Sequence, residues 1–354
     1  MEQGFVMQFH GGDIYRNKIN MDFSVNANPL GPQPEVIEAI RDAAANISQY
    51  PDIYCDKLLD TLCSFEQVGK DQIICGNGAA ELFFSAVLAV RPKKAMLLSP
   101  TFSEYERALR ITDTQIIYYE LKKEQKFQIQ ENILENITAD LDMVFLCNPN
   151  NPTGQVTSKE LLEKIAEKCR ECGAYLVLDE CFLDFLDMPE KYEMKAGLER
   201  YTNLLIVKAF TKIFCMPGLR LGYAISSDKA LLDKMNQVVQ PWNVSVLAQA
   251  GGVAALENCK DYIDKTKMML KKEREFLIRE LRKLGYIVYG SMANYIFFEA
   301  EEDKDESSLY ERALSAGILI RDCSSYRGLG RGYYRIAVRT RQENERMIAW
   351  LRGL

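Results

Sequence analysis

The sequence predicts an α/β protein: a large domain with a mainly parallel sheet between helices, plus a smaller α+β domain. Three observations predict it. From about residue 70 to 226, short apolar runs alternate with amphipathic stretches, the pattern of parallel strands joined by crossover helices. After residue 226 this alternation gives way to long helical stretches and then to separated strands. With 354 residues, the chain is also long enough for two substantial cores.

The strands expected in the first region are Gln72–Cys75, Ala95–Ser99, Gln115–Glu120, Met143–Cys147, Tyr175–Asp179, Asn203–Val207 and Tyr223–Ser226. Each is a short apolar run, and Leu176-Val177-Leu178 and Leu204-Leu205-Ile206-Val207 read as fully buried. Amphipathic stretches between them predict helices at Ala80–Val90, Tyr105–Ile111 and Ser158–Cys172. In the second region helices are expected over Asp228–Val238, Ser245–Leu256 and Lys260–Leu284. Strands Tyr286–Tyr289, Tyr295–Glu299, Ile318–Ile320 and Tyr334–Val338 follow, with helices between and after them. The charge run Glu301 to Glu306 reads as a solvated loop.

Composition excludes several function classes. The net charge of -6 argues against a general nucleic-acid or anionic-membrane binder. No apolar run approaches the roughly 20 residues that span a bilayer. Met1-Glu2-Gln3-Gly4-Phe5 does not read as a signal peptide, and ten scattered cysteines read as reduced thiols, so a cytoplasmic protein is expected. Cys169 and Cys172 form a lone C-x-x-C with no second pair, so no metal site is expected. The single histidine, His10, rules out histidine-cluster metal sites. Proton transfer is left to lysine, a carboxylate, tyrosine or a cofactor.

Ligands of parallel sheets sit beyond the carboxyl ends of the strands, so the residues after each strand carry the chemistry. Lys212 and Arg220 follow the strand ending near Val207. A lysine in apolar surroundings can lose its proton and attack a carbonyl. An arginine fork suits a phosphate dianion. Carbonyl and phosphate on one small molecule describe pyridoxal 5'-phosphate (PLP). Gly76-Asn77-Gly78-Ala79-Ala80-Glu81 is a glycine turn opening a helix, where backbone N–H groups bind phosphate. Phe102 at the end of another strand offers a face for a planar ring. Asn148-Pro149-Asn150-Asn151-Pro152-Thr153-Gly154 is a rigid loop with an amide to donate. Asp179 ends a buried strand, and a buried carboxylate needs a cation such as a pyridinium nitrogen.

This set resembles the fold-type I PLP enzymes of the aminotransferase family over essentially the whole chain. Within the family the likeness is greatest to the threonine-phosphate decarboxylase branch, with the histidinol-phosphate aminotransferases as near relatives. The resemblance implies a Schiff-base role for Lys212 and a pyridine-nitrogen contact for Asp179. It assigns Asn151 to the ring 3'-oxygen, Phe102 to the ring face, and Gly78, Ala79, Ala80, Thr211 and Arg220 to the phosphate. Tyr50 matches a tyrosine that reaches the neighbouring subunit's phosphate, which implies a homodimer. Arg335 matches the arginine for the substrate carboxylate and Arg321 the one for its phosphate; both are expected to follow strands of the small domain. His10, Gly11 and Asn26 match positions near the substrate, a small phosphorylated amino acid, and Asn151 also faces it.

Likewise implied are an N-terminal arm over 1–28, a large domain over 45–245 and a small domain from 29–44 and 246–354. The implied reaction is decarboxylation of L-threonine O-3-phosphate to (R)-1-aminopropan-2-ol O-2-phosphate, a step of cobalamin biosynthesis. Alternatives are histidinol-phosphate transamination or decarboxylation of another phospho-amino acid. His10-Gly11-Gly12, Asp22 to Asn26 and Pro241-Trp242-Asn243-Val244 look decarboxylase-like, and Phe182 stands where the aminotransferases usually offer a tyrosine. Lys208-Ala209 departs from both branches, which carry Arg-Ser/Thr, and the lost hydroxyl removes a hydrogen bond worth about 1.5–3 kcal/mol if charge-assisted. A nicotinamide dehydrogenase leaves Lys212 and Asp179 unexplained, and a PLP-binding transcriptional regulator needs a DNA-binding domain for which no basic patch is present.

Overall fold

The computed structural model describes residues 11–257, 259–302 and 307–354. The chain opens with β1 (Met21–Asp22), α1 (Pro34–Ala43) and α2 (Asp56–Glu66). It continues through β2 (Ile73–Gly76), α3 (Gly78–Val90), β3 (Lys94–Ser99), α4 (Glu104–Arg110), β4 (Gln115–Glu120) and β5 (Met143–Cys147). Then come α5 (Lys159–Cys172), β6 (Tyr175–Asp179), β7 (Leu204–Ala209), the single turn α6 (Phe210–Ile213) and β8 (Gly222–Ile225). Helices α7 (Lys229–Val238), α8 (Val246–Glu257) and α9 (Cys259–Lys283) lead to β9 (Ile287–Val288) and β10 (Tyr295–Glu299). The chain closes with α10 (Leu309–Ser315), β11 (Ile318–Leu319), β12 (Arg321–Asp322), β13 (Tyr333–Ala337) and α11 (Arg341–Arg352).

Seven strands form the large sheet in the order β2-β8-β7-β6-β5-β3-β4. The run from β7 to β4 is parallel, whereas β8 is antiparallel to both β7 and β2. Strands β2, β3, β5, β6 and β7 therefore all end at one edge of the sheet. Successive side chains of a strand face opposite ways, and the two cores show it. Leu176, Leu178, Leu204 and Ile206 pack in one core with α2, α5 and α8. Val177, Leu205 and Val207 pack in the other with α3, α4 and α7. Helix α5 is delimited by its own sequence: Ser158 Oγ accepts from Leu161 N at its start, and left-handed Gly173 (φ 75°) ends it.

A second sheet, β12-β13-β10-β9, is antiparallel throughout. Strand β1 of the N-terminal segment pairs in parallel with β11, and α1 packs on α8. Helices α1 and α2 precede the region in which alternation is readable, and the sequence pattern did not predict them. Of the stretch Ile318–Ile320, expected as one strand, only Ile318 and Leu319 form β11, with Leu319 paired to Asp22; Ile320 is in no strand, and β12 begins at Arg321, which pairs with Arg335. Arg321 and Arg335 thus lie within strands, not after them as expected. Cys181 lies in the turn after β6 and not in a strand. No helix of the described residues is long and apolar enough to cross a membrane.

Candidate active site

The common edge of the large sheet gathers the predicted residues. Asp179 ends β6 and is buried, 4% exposed. Its Oδ2 accepts from the Tyr105 hydroxyl and its Oδ1 from Cys181 N at 2.9 Å. Both donors are neutral, and burial pushes the Asp179 carboxyl above its ordinary range. A carboxylate in this position is short of a cationic partner. Phe102, half-buried, stands edge-on to the same Tyr105 with ring centroids 5.6 Å apart.

Lys212 is placed by the turn α6 at the end of β7. The N-terminal segment holds that turn: Asn28 N donates to Lys212 O at 3.0 Å, and Asn28 Nδ2 donates to Ile213 O and Thr266 Oγ1 at 2.8 Å each. Lys212 Nζ stands 5.4 Å from the centre of the Phe182 ring. Burial, then the Arg335 charge, bring its pKa down to about 8. About a tenth of the amine is then neutral at pH 7, far more than an ordinary lysine offers.

Gly78 opens α3 with φ +80°, and a Cβ there would come within 2.4 Å of Arg220 Nη2. Only glycine lets the guanidinium approach this helix N-terminus, whose first N–H groups and dipole favour an anion. Ala79 and Ala80 continue the first turn, and Gly222 brings β8 against it, since a Cβ there would meet Ala79 N at 2.7 Å. Arg220 Nη1 donates to Pro217 O at 3.3 Å, and no carboxylate among the described residues pairs with it. Thr211 is buried in α6.

The two small-sheet arginines are cross-strand partners, Arg321 opposite Arg335, so their side chains share one face. Both are buried, 7% and 6% exposed. Arg335 Nη1 donates to Asn151 Oδ1 and its Nη2 to Ser24 O at 2.9 Å. With its amide turned to satisfy both groups, Asn26 accepts from Arg335 Nε and Nη1 at 3.2 Å each. Arg321 Nη2 donates to Ser325 Oγ at 3.3 Å, and the guanidinium lies 5.0 Å from the Tyr326 ring centre. Tyr326 in turn donates to Asn151 Oδ1 at 3.5 Å. Gly11 packs against Ser24, whose carbonyl a Cβ would meet at 2.5 Å. His10 lies outside the described residues. Tyr50 stands apart, 78% exposed and stacked on Trp242 with ring centroids 4.5 Å apart.

The sequence profile of aminotransferase class I and II matches residues 18–351. The chain belongs to that family. Its members are PLP-dependent enzymes of fold type I, and so is this protein. The chain is 36% identical over 335 residues to threonine-phosphate decarboxylase of Salmonella typhimurium, covering 94% of this chain and 91% of that protein. It is 30% identical over 352 residues to histidinol-phosphate aminotransferase of Methanococcus aeolicus, covering 97% and 93%. The crystal structure of histidinol-phosphate aminotransferase from Clostridium acetobutylicum superposes with a TM-score of 0.87 at 28% identity, covering 94% of this chain and 98% of that one.

The residues fit the family's cofactor: a buried carboxylate short of a cation, a lysine held partly neutral, and a glycine-lined helix end beside an arginine that no carboxylate among the described residues pairs with. Several residues of this aminotransferase-family site were not read from the sequence. Tyr105 lies in the first turn of α4, three residues after Phe102, and that closeness could have flagged it. Tyr295, whose hydroxyl donates to Asn150 O at 2.8 Å, and Tyr326 come from the small sheet and a loop and carried no local signal. The departure at Lys208-Ala209 has a structural partner set. Lys208 Nζ lies 3.0 Å from Glu66 Oε1 and 3.2 Å from Asp184 Oδ1, and Glu66 also takes Lys195 and the Tyr223 hydroxyl. Burial depresses the Lys208 ammonium, but Asp184 and Glu66 outweigh it and hold the charge.

Proposed function

We propose that this chain decarboxylates L-threonine O-3-phosphate. One observation carries the reading: two buried arginines on one face of β12 and β13, neither paired with a carboxylate among the described residues. A buried guanidinium without a counter-charge is costly unless a ligand supplies one. Threonine phosphate brings a carboxylate for Arg335 and a phosphate for Arg321 in one molecule, whereas the aminotransferase reaction divides them between histidinol phosphate, which has only the phosphate, and 2-oxoglutarate, which has only carboxylates. The 36% identity to the Salmonella decarboxylase favours the same choice.

PLP, when bound, supplies an electron sink for the pair left on Cα as carbon dioxide departs. Lys212 Nζ would bind its aldehyde and Asp179 its ring nitrogen. Asn151 would take the 3'-oxygen, Phe102 the ring face, and Gly78, Ala79, Ala80, Thr211 and Arg220 the phosphate. Arg335 would turn the substrate carboxylate so that the Cα–carboxyl bond, and not Cα–H, is the bond broken, with Asn26 accepting from that arginine directly and Gly11 packing on Ser24, whose carbonyl the arginine also engages. Lys212 Nζ, freed by the incoming substrate amine, would be the group that returns a proton to Cα. We further infer a homodimer in which Tyr50 of each subunit completes the phosphate site of the other.

The test offers the PLP-loaded protein threonine phosphate while carbon dioxide is followed, then histidinol phosphate with 2-oxoglutarate while glutamate is followed. Carbon dioxide release is expected. Glutamate without carbon dioxide would replace this reading by the aminotransferase one.

A further inference from the structure

Tyr326 lies on the segment between β12 and β13, is buried, and touches both the cofactor side and the substrate side of the site. Its hydroxyl donates to Asn151 Oδ1 at 3.5 Å, and its ring centre lies 5.0 Å from the Arg321 guanidinium. The segment is seated on the large sheet. Ser99 Oγ, at the end of β3, donates to Arg327 O at 2.9 Å, and the Arg327 guanidinium lies 4.1 Å from the Tyr118 ring centre. Gly328 has φ +81°, and a Cβ there would meet Ser99 Oγ at 2.7 Å, so the close approach of this loop to β3 favours glycine. Around Tyr326 the backbone is fixed by two turns, in which its N donates to Cys323 O at 3.0 Å and its carbonyl accepts from Leu329 N at 3.1 Å.

We propose that Tyr326 is a positioning residue, fixing the Asn151 amide with its hydroxyl and the Arg321 guanidinium with its ring; this rests on the roles proposed above for Asn151 and Arg321. Arg335 Nη1 and the Tyr326 hydroxyl both donate to Asn151 Oδ1. A guanidinium has no acceptor, so the amide cannot turn its NH2 group towards Arg335. With Oδ1 held by two donors, Nδ2 is the group that Asn151 has left to offer the 3'-oxygen of the cofactor. On the other side, the face of the Tyr326 ring attracts the Arg321 cation. That contact holds the guanidinium on the face it shares with Arg335. One side chain, seated by the large sheet, thus sets both the donor to the cofactor and the anchor for the substrate phosphate.

Two variants separate the hydroxyl from the ring: Tyr326→Phe keeps the ring, and Tyr326→Leu removes both. A donor on the 3'-oxygen weakens the hold of that oxygen on the proton it shares with the Lys212 nitrogen, so the visible absorbance of the PLP-loaded protein is titrated with pH. Both variants are expected to move the inflection to higher pH, and Tyr326→Phe to lower kcat for carbon dioxide release from threonine phosphate about 5-fold. Binding of inorganic phosphate to the PLP-loaded protein is followed by calorimetry, with Arg321→Met as the variant that abolishes it. Its affinity is expected to be unchanged in Tyr326→Phe and about 5-fold weaker in Tyr326→Leu. An inflection that Tyr326→Phe leaves in place overturns the role of the hydroxyl. Phosphate binding that the wild type lacks, or that Tyr326→Leu or Arg321→Met leaves intact, overturns the role of the ring. Neither readout needs turnover, so a wild type that releases no carbon dioxide sinks the decarboxylase reading while the inflection and the calorimetry still decide on Tyr326.

Discussion

Lys212 is reactive because of its neighbours. Burial is the larger cause of its low pKa and Arg335 the next, so the proposed carboxylate anchor also tunes the proposed cofactor lysine. Replacing Arg335 by Met removes a positive charge that disfavours the ammonium, so the Lys212 pKa must rise from about 8 towards its ordinary 10.5. The pH dependence of PLP capture by the cofactor-free protein, followed by absorbance, checks this. The wild-type inflection is expected near 8 and the variant's above it. An unmoved inflection would show that Arg335 does not act on the lysine. Asp179 and Tyr105 make the same point: a motif names the carboxylate, but its environment comes from a helix and a turn packed around it.

Among elements, the β12–β13 pair and the α2–β7 contact do different work. The antiparallel register puts Arg321 opposite Arg335, at a spacing that one ladder rung dictates. Truncating Arg321 to Met should lower kcat/KM for threonine phosphate by about 100-fold, the worth of one or two charge-assisted hydrogen bonds. Retention of PLP in the same variant should be unchanged, and loss of both would refute a role confined to substrate.

At the α2–β7 contact, burial pushes the Glu66 carboxyl up, but Lys208 and Lys195 override it and hold its pKa near 2, against an ordinary 4.5. A depressed carboxyl contributes stability above its unfolded pKa and loses it as pH falls through the folded one. About 3 kcal/mol is therefore at stake between pH 4.5 and 2. Glu66→Gln leaves Lys208 with Asp184 alone and should cost about 3–5 kcal/mol in denaturant unfolding at neutral pH. It should also flatten the acid limb of the stability curve.

At the scale of the molecule, apolar residues cluster at one surface: Ile47, Tyr50, Ile53 and Tyr54 are 70%, 78%, 47% and 73% exposed, and Trp242 beside Tyr50 is 45% exposed. A patch of this kind is what a self-association face requires. If the proposed homodimer uses this face, Tyr54→Glu shifts the sedimentation-velocity profile towards monomer and weakens PLP retention, because the proposed reach of Tyr50 into a neighbour is lost. A dimer of undiminished stability would place the interface elsewhere.

The sequence alone carried the α/β class, the strands from Ile73 to Ile225 nearly residue for residue, and the cofactor class. Those rest on local information: apolar period, turn residues, and motifs that must follow strands because strand ends form the site. The early helices α1 and α2 escaped because no alternation frames them, and the break at Ile320 between β11 and β12 escaped because the change of pairing partner, not propensity, ends the first strand there. Only the tertiary structure decided that Arg321 faces Arg335, that Lys212 titrates near 8 and that Lys208 is bound by Glu66 and Asp184. Each depends on charges and burial contributed by segments far away in sequence, and electrostatic energy is set by distance in space.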